Sequence, residues 1–261
     1  MPLLVTDAIV LHAAPYLESS RLLRLATREA GVQSVVARGA RSSKKRFGSA
    51  VDLFAEGQAQ IQLKPGRDLH SLNSFDVTVS RPALALDLGR FTAASAIAEC
   101  VLRLVHEEAA PAAYGALVRG LDQLSAAPPD RTATVTLSAL WQLVGEVGFR
   151  PAIDHCAECH ADIPADAEAR FHHRTGGALC EQCGRLIPGG RRLPPSARQA
   201  LRRWLGEGVA PNAPGADTEQ DVVLDEAEAR AHQRLLREFL GQHLPDPRPL
   251  KAWLVWEQGA W

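Results

Sequence analysis

Two Cys-x-x-Cys turns constrain this chain more than any other feature. Cys156-Ala157-Glu158-Cys159 is followed, after twenty residues, by Cys180-Glu181-Gln182-Cys183. A two-residue gap lets both sulfurs of one turn face the same point. A separation of about fifteen to twenty residues lets a second turn fold back and complete a tetrahedron of soft ligands, the arrangement of a closed structural zinc site. Gly176-Gly177 supplies a bend before the second pair, and Phe171 is the large apolar side chain expected to cover the ion. The alternatives are two disulfides or an empty site, or a redox dithiol; the last normally occurs once per domain at a helix start. His155, His160, His172 and His173 crowd the same segment and are possible substitute ligands.

The rest of the chain carries no signature of catalysis. A catalytic zinc needs three protein ligands and an open position, and the deaminase pattern needs His-x-Glu followed by Pro-Cys-x-x-Cys. Neither Cys-x-x-Cys here follows a proline, and His106-Glu107-Glu108 has no second histidine to make a His-Glu-x-x-His helix. No Gly-rich phosphate loop or Gly-x-Ser-x-Gly elbow occurs. With no basic stretch ahead of an apolar run and no apolar segment near ~18 residues, a cytoplasmic protein with reduced thiols is expected. Cys100, inside an apolar helical pattern, reads as a small core residue.

The net charge of −1 hides an uneven distribution. Residues 1–75 hold ten Lys or Arg against six Asp or Glu, and 184–206 hold six Arg and no acid: Arg185, Arg191, Arg192, Arg198, Arg202 and Arg203. A neutral total is therefore compatible with a basic face.

Strand signals fill the first eighty residues. Leu3–His12 is apolar and partly β-branched and is expected to end at Ala13-Ala14-Pro15-Tyr16; further strands are expected over 21–28, 32–37, 56–63 and 69–79. Gln58, Gln60 and Gln62 alternate with Ala59, Ile61 and Leu63, a period of two. Five short strands point to a small barrel, an OB-fold or an SH3-like one. Between the third and fourth strands, Arg38, Arg41, Lys44, Lys45 and Arg46 share eleven residues with two serines and two glycines. That run suits phosphate contact, with Phe47 or Tyr16 available to stack on a base, and a solvated charge run is the competing reading.

Beyond Arg81-Pro82 the period changes to helical. A helix of some twenty-four residues is expected from Leu84 to His106, a second from Pro111 to Leu124, and a third after an Asp130 N-cap, stopped by Gly148 and Pro151. Helical signals resume at Pro195 and again after Leu224, so the cysteine module is an insertion among helices. Trp253, Trp256 and Trp261 lie in a tail expected to dock as a final strand or arm, or to stay partly open for a partner. The expected layout is α+β: an OB-fold barrel over 1–80, a helical domain over 81–152 and 189–245, an inserted four-cysteine zinc module over 153–188, and an arm over 246–261.

Three stretches in this order resemble the bacterial recombination mediator family RecO: Leu4-Val5-Thr6-Asp7-Ala8-Ile9-Val10-Leu11, Arg38-Gly39-Ala40-Arg41 with Lys44, and Gly-Gly-x-x-Cys-x-x-Cys from Gly176 to Cys183. The resemblance implies a non-enzymatic, nucleoid-associated DNA repair protein with no membrane or small-molecule partner. It implies binding to single- and double-stranded DNA, annealing of complementary strands, and a partnership with RecR in loading RecA onto DNA coated by single-strand-binding protein. It also makes the Arg185–Arg203 cluster a candidate surface for DNA or for the tail of single-strand-binding protein. A zinc-ribbon transcription regulator and a zinc-dependent nucleic-acid enzyme are the other classes open at this point.

Overall fold

The computed structural model describes residues 2–40, 47, 51–206, 222–244, 246 and 248–259. They form two compact units: one runs to Pro129 and takes in 250–259, and the other comprises the described residues of 130–249.

The first unit begins with β1 (Leu3–Tyr16), β2 (Ser20–Thr27), β3 (Gly31–Ala37), β4 (Glu56–Gln62) and β5 (Leu69–Val79). They close into a barrel in the order β1-β2-β3-β5-β4, an OB-like topology. All pairings are antiparallel except β3 with β5, which run parallel over Ser34–Val36 and Leu69–Ser71. The alternation explains the interior: Ala59 and Ile61 of β4 point in with Ala8, Val10, Leu25 and Val35, while Gln58, Gln60 and Gln62 stay outside.

The first strand is longer than its sequence suggests, running through Pro15 to Tyr16. Past Ile9 it pairs with β2 alone, an edge position at which a strand tolerates proline. Gly31, at φ +61, turns β2 into β3 where an added Cβ would lie 1.9 Å from the His106 carbonyl, so only glycine fits there.

The expected twenty-four-residue helix is two, α1 (Pro82–Leu86) and α2 (Leu88–Leu104). Asp87 breaks it: its backbone is extended and its carboxylate accepts the Arg90 N–H at 2.8 Å, an N-cap within an otherwise helical period. α3 spans Pro111–Ala126. Arg81, its side chain 2% exposed, binds Glu56 at 2.6 Å, Asp122 at 2.7 Å and the Phe54 carbonyl at 3.1 Å, joining strand to helix.

In the second unit lie α4 (Thr132–Glu146), β6 (Ala169–His172), β7 (Gly177–Leu179), α5 (Glu181–Leu186), β8 (Arg191–Leu193), α6 (Pro195–Trp204) and α7 (Glu226–His243). Asp130 falls in a short 3-10 turn, Pro129–Arg131, and α4 starts without a side-chain cap. α7 opens on a full capping box, Asp225 with Glu228. The three short strands form a sheet in the order β7-β6-β8. Phe171 of β6 is buried against Trp141 of α4 and Phe239 of α7, with ring centroids 6.3 and 5.7 Å away. It packs into the helical core, so the inserted sheet shares a core with the helices around it.

The tail returns to the first unit as a helix, α8 (Lys251–Glu257), where the sequence suggests a strand or arm. Trp253 and Trp256 are fully buried edge to face at 5.0 Å, and the Glu99 carboxylate of α2 accepts the Lys251 and Trp253 N–H groups. Trp261 lies outside the described residues.

Candidate functional site

The first cysteine turn leaves an extended segment whose Ala152 bridges Gly177. It is tied down by hydrogen bonds from Cys156 N–H to the Ala161 carbonyl (2.8 Å), from Ala157 N–H to Ala178 (2.7 Å) and from His160 N–H back to Cys156 (2.9 Å). His160 closes the turn at φ 63. The second pair sits at a strand-to-helix junction: β7 ends at Leu179, Cys180 is extended, and Cys183 lies in α5. Gly176, at φ +82, makes the hairpin that brings the pairs together.

The four sulfurs lie within 4.8 Å of one another, the Cys159 and Cys180 Sγ atoms 3.8 Å apart, and all four cysteines are free thiols. Disulfide sulfurs would be about 2.05 Å apart. A zinc–sulfur distance of about 2.3 Å gives a tetrahedral edge of about 3.8 Å, so this donor set fits such an ion. Cys156 and Cys183 are buried, Cys180 is half-buried and Cys159 is exposed. Burial raises the Cys156 thiol, but the N–H groups of Cys159, Cys180 and Glu158 outweigh it and bring it down to about 6. Cys183, by burial and by its sulfur neighbours, is pushed up to about 12. A cation binding at such a cluster displaces thiol protons.

None of the neighbouring histidines joins this group. His155 meets Asp162 at 2.6 Å, His172 meets Thr175 at 3.2 Å and His173 meets Glu238 at 3.0 Å. Among the described residues the four cysteines are the one cluster able to hold a metal ion.

The basic loop is described in part. Arg38 is exposed at the end of β3, while Arg41, Lys44, Lys45 and Arg46 lie outside the described residues. Phe47 is 2% exposed and belongs to the barrel core, so it does not stack on a base. Tyr16, at the end of β1, is 37% exposed and retains that possibility. On the barrel, Arg28 pairs with Asp7 at 3.3 Å and lies over the Tyr114 ring.

The six arginines of 184–206 do not make one free patch. Arg185 pairs with Glu181, Arg191 with Glu238 through two nitrogens, Arg192 with Glu168 at 2.6 Å and Arg202 with Asp154. Arg191 holds the Glu238 carboxyl below its ordinary range. Arg198 is fully buried and donates to the Pro164 carbonyl, so it fastens the loop ahead of β6 and is not on a surface. Most of these partners come from distant segments, beyond the reach of a local sequence pattern. Arg203 and Arg234 line a cavity of about 610 Å³ together with Leu193, Ala200 and Leu235. His232 lies in its wall, buried edge to face with Trp204 at 4.9 Å, and burial pushes it down to about 4.

Residues 1–81 match the family model for the N-terminal part of recombination protein O, and residues 85–253 match the model for its C-terminal part. The "DNA repair protein RecO" of Anaeromyxobacter sp. (strain K) is 37% identical over 226 residues, covering 83% of this chain and 86% of that protein. The protein of the same name from Geobacter metallireducens is 32% identical over 247 residues, 92% of this chain and 98% of that one. No described helix is long and apolar enough to cross a membrane.

Proposed function

The chain belongs to the RecO family, and on that premise we propose that it is a DNA repair and recombination mediator. In this role it binds single- and double-stranded DNA through the phosphate backbone, anneals complementary strands and works with RecR to load RecA. The observation that carries the reading is the closed OB-like barrel in a chain matched by the family over nearly all its length. Arg38 leads from that barrel into the run that continues with Arg41, Lys44, Lys45 and Arg46.

The mechanism is electrostatic. Each cation that meets a phosphate releases a condensed counterion, and neutralising two strands together lowers their repulsion until base pairing takes over. None of these steps needs a catalytic base, a nucleotide or a redox centre. Zinc is the ion proposed for the four cysteines, where a closed sulfur shell supplies architecture and leaves no position for substrate. The cavity of the second unit, lined by Leu193, Ala200 and Leu235 together with the charged Arg203, Arg234 and Glu228, is the proposed site for the acidic, apolar tail of single-strand-binding protein.

Fluorescence anisotropy with two unrelated single-stranded DNAs over a salt series tests the reading. Both sequences should bind alike. The Arg41→Ala, Lys44→Ala, Lys45→Ala, Arg46→Ala variant should bind more weakly, with a salt slope shallower by about 0.7 for each phosphate that is no longer neutralised. Unchanged binding by the variant would remove the loop from the DNA surface, and no binding by either protein would remove the reading itself.

A further inference from the structure

The four cysteines are not equivalent towards solvent, and the asymmetry has a chemical consequence. Cys156 and Cys183 are enclosed, while Cys159 is exposed and Cys180 is half-buried. The two open sulfurs come from different turns of the chain and are 3.8 Å apart. A cavity of about 840 Å³ has Cys180 in its wall beside Glu181 and Gln182, giving small solutes a second approach to that residue. The two residues of the set most open to solvent are therefore also neighbours across the cluster.

We infer that Cys159 and Cys180 form an oxidative modification site, at which a peroxide-class two-electron oxidant links them in a disulfide and releases the metal. The inference rests on the zinc reading given above. The exposed Cys159 thiolate attacks a peroxide oxygen, the O–O bond breaks, and hydroxide leaves behind a sulfenic acid. The Cys180 thiolate then attacks the Cys159 sulfur, the S–O bond breaks and a second hydroxide leaves. Two protons from the buffer acid convert both hydroxides to water, the two sulfurs have lost two electrons together, and peroxide has gained them. Zn²⁺ keeps only two of its four ligands and departs.

The surroundings confine the damage to the turns. Phe171 anchors the sheet between Trp141 and Phe239, and Arg191 to Glu238 and Arg202 to Asp154 add ion pairs that do not involve sulfur. The oxidised chain is expected to keep its helices and its aromatic core while the two cysteine turns loosen, and a thiol reductant with added zinc should restore them.

The experiment uses the full reduced chain loaded with zinc. Metal content measured before any oxidant tests the zinc reading alone, since a chain that takes up no zinc overturns that reading independently of the modification. Hydrogen peroxide is then added with a chromogenic zinc chelator, and the earliest disulfide is mapped by peptide mass spectrometry. The expected result is loss of the bound zinc, a fall from five to three titratable thiols in the denatured chain, and a Cys159–Cys180 link as the first product. Zinc retained after prolonged exposure, zinc released without a disulfide, or a first link that includes Cys156 or Cys183 would overturn the proposal.

Discussion

The barrel and the cysteine module solve the same problem, how to hold a small sheet, by opposite means. The barrel closes its own hydrogen-bond ladder around an interior of Ala8, Val10, Leu25, Val35 and Ile61. The three-stranded sheet of the module has no closure and little interior of its own. It is held by Phe171 against two helices, by arginine–carboxylate pairs, and by a cluster of sulfurs suited to an ion. Stability in the barrel is spread over many apolar residues, whereas in the module it is concentrated in a few specific interactions. Substitutions should therefore act locally, with different chemistry in the two regions.

Arg81 makes the largest test of that separation. Its guanidinium is almost wholly enclosed, and replacing it by alanine would leave the partly buried Glu56 carboxylate without its cation. Breaking a buried pair from one side costs about 3–5 kcal/mol. Amide hydrogen exchange should show Arg81→Ala loosening β4 and α3 while peptides from 132–204 keep their protection. Equal loosening of both units would mean that they share stability, contrary to the comparison.

A second test uses acid on the other unit. His232 ordinarily titrates near 6.5, and burial lowers it to about 4 in the folded chain. The folded state therefore binds a proton less readily than the unfolded one, so its stability is intact above pH 6.5 and is lost as pH falls towards 4. At 1.36 kcal/mol per unit, that is about 3 kcal/mol by pH 4. Burial also lowers His173 and His243, with the same sign. Hydrogen exchange of α6 and α7 at pH 7 and pH 4.5 should show this loss in the native chain and a smaller one in His232→Leu. If the variant loses as much as the native chain, His232 is not the group responsible.

Much of this architecture is legible in the sequence, and the gaps have physical causes. Period-two alternation announces β4, and the Cys-x-x-Cys spacing announces the sulfur cluster, because both are local patterns. The length of β1 is hidden because the cost of a proline depends on whether a second strand lies alongside. Asp87 signals the break between α1 and α2, but the apolar period runs on across it. Arg81 reads only as a boundary residue, since its partners Phe54, Glu56 and Asp122 lie far along the chain. Likewise the run of six arginines reads as free charge until the fold brings Glu168, Glu238 and Asp154 to it and buries Arg198.

The smallest effect is also the most local. His160, after the first cysteine pair, has φ 63, and Leu17, in the turn after β1, has φ 52. A side chain in the left-handed region costs about 1–2 kcal/mol, and glycine removes that cost while adding about 0.5–1 kcal/mol of chain entropy. His160→Gly should therefore tighten zinc binding modestly, by up to about fivefold for 1 kcal/mol, and His160→Val should weaken it. Leu17→Gly should raise barrel stability by a similar margin and leave zinc affinity unchanged. Competition with a chelator of known affinity measures the first pair, and hydrogen exchange of β1 and β2 measures the second. A change in zinc affinity on substituting Leu17 would show that the barrel and the sulfur cluster are energetically joined, which neither unit's own packing provides for.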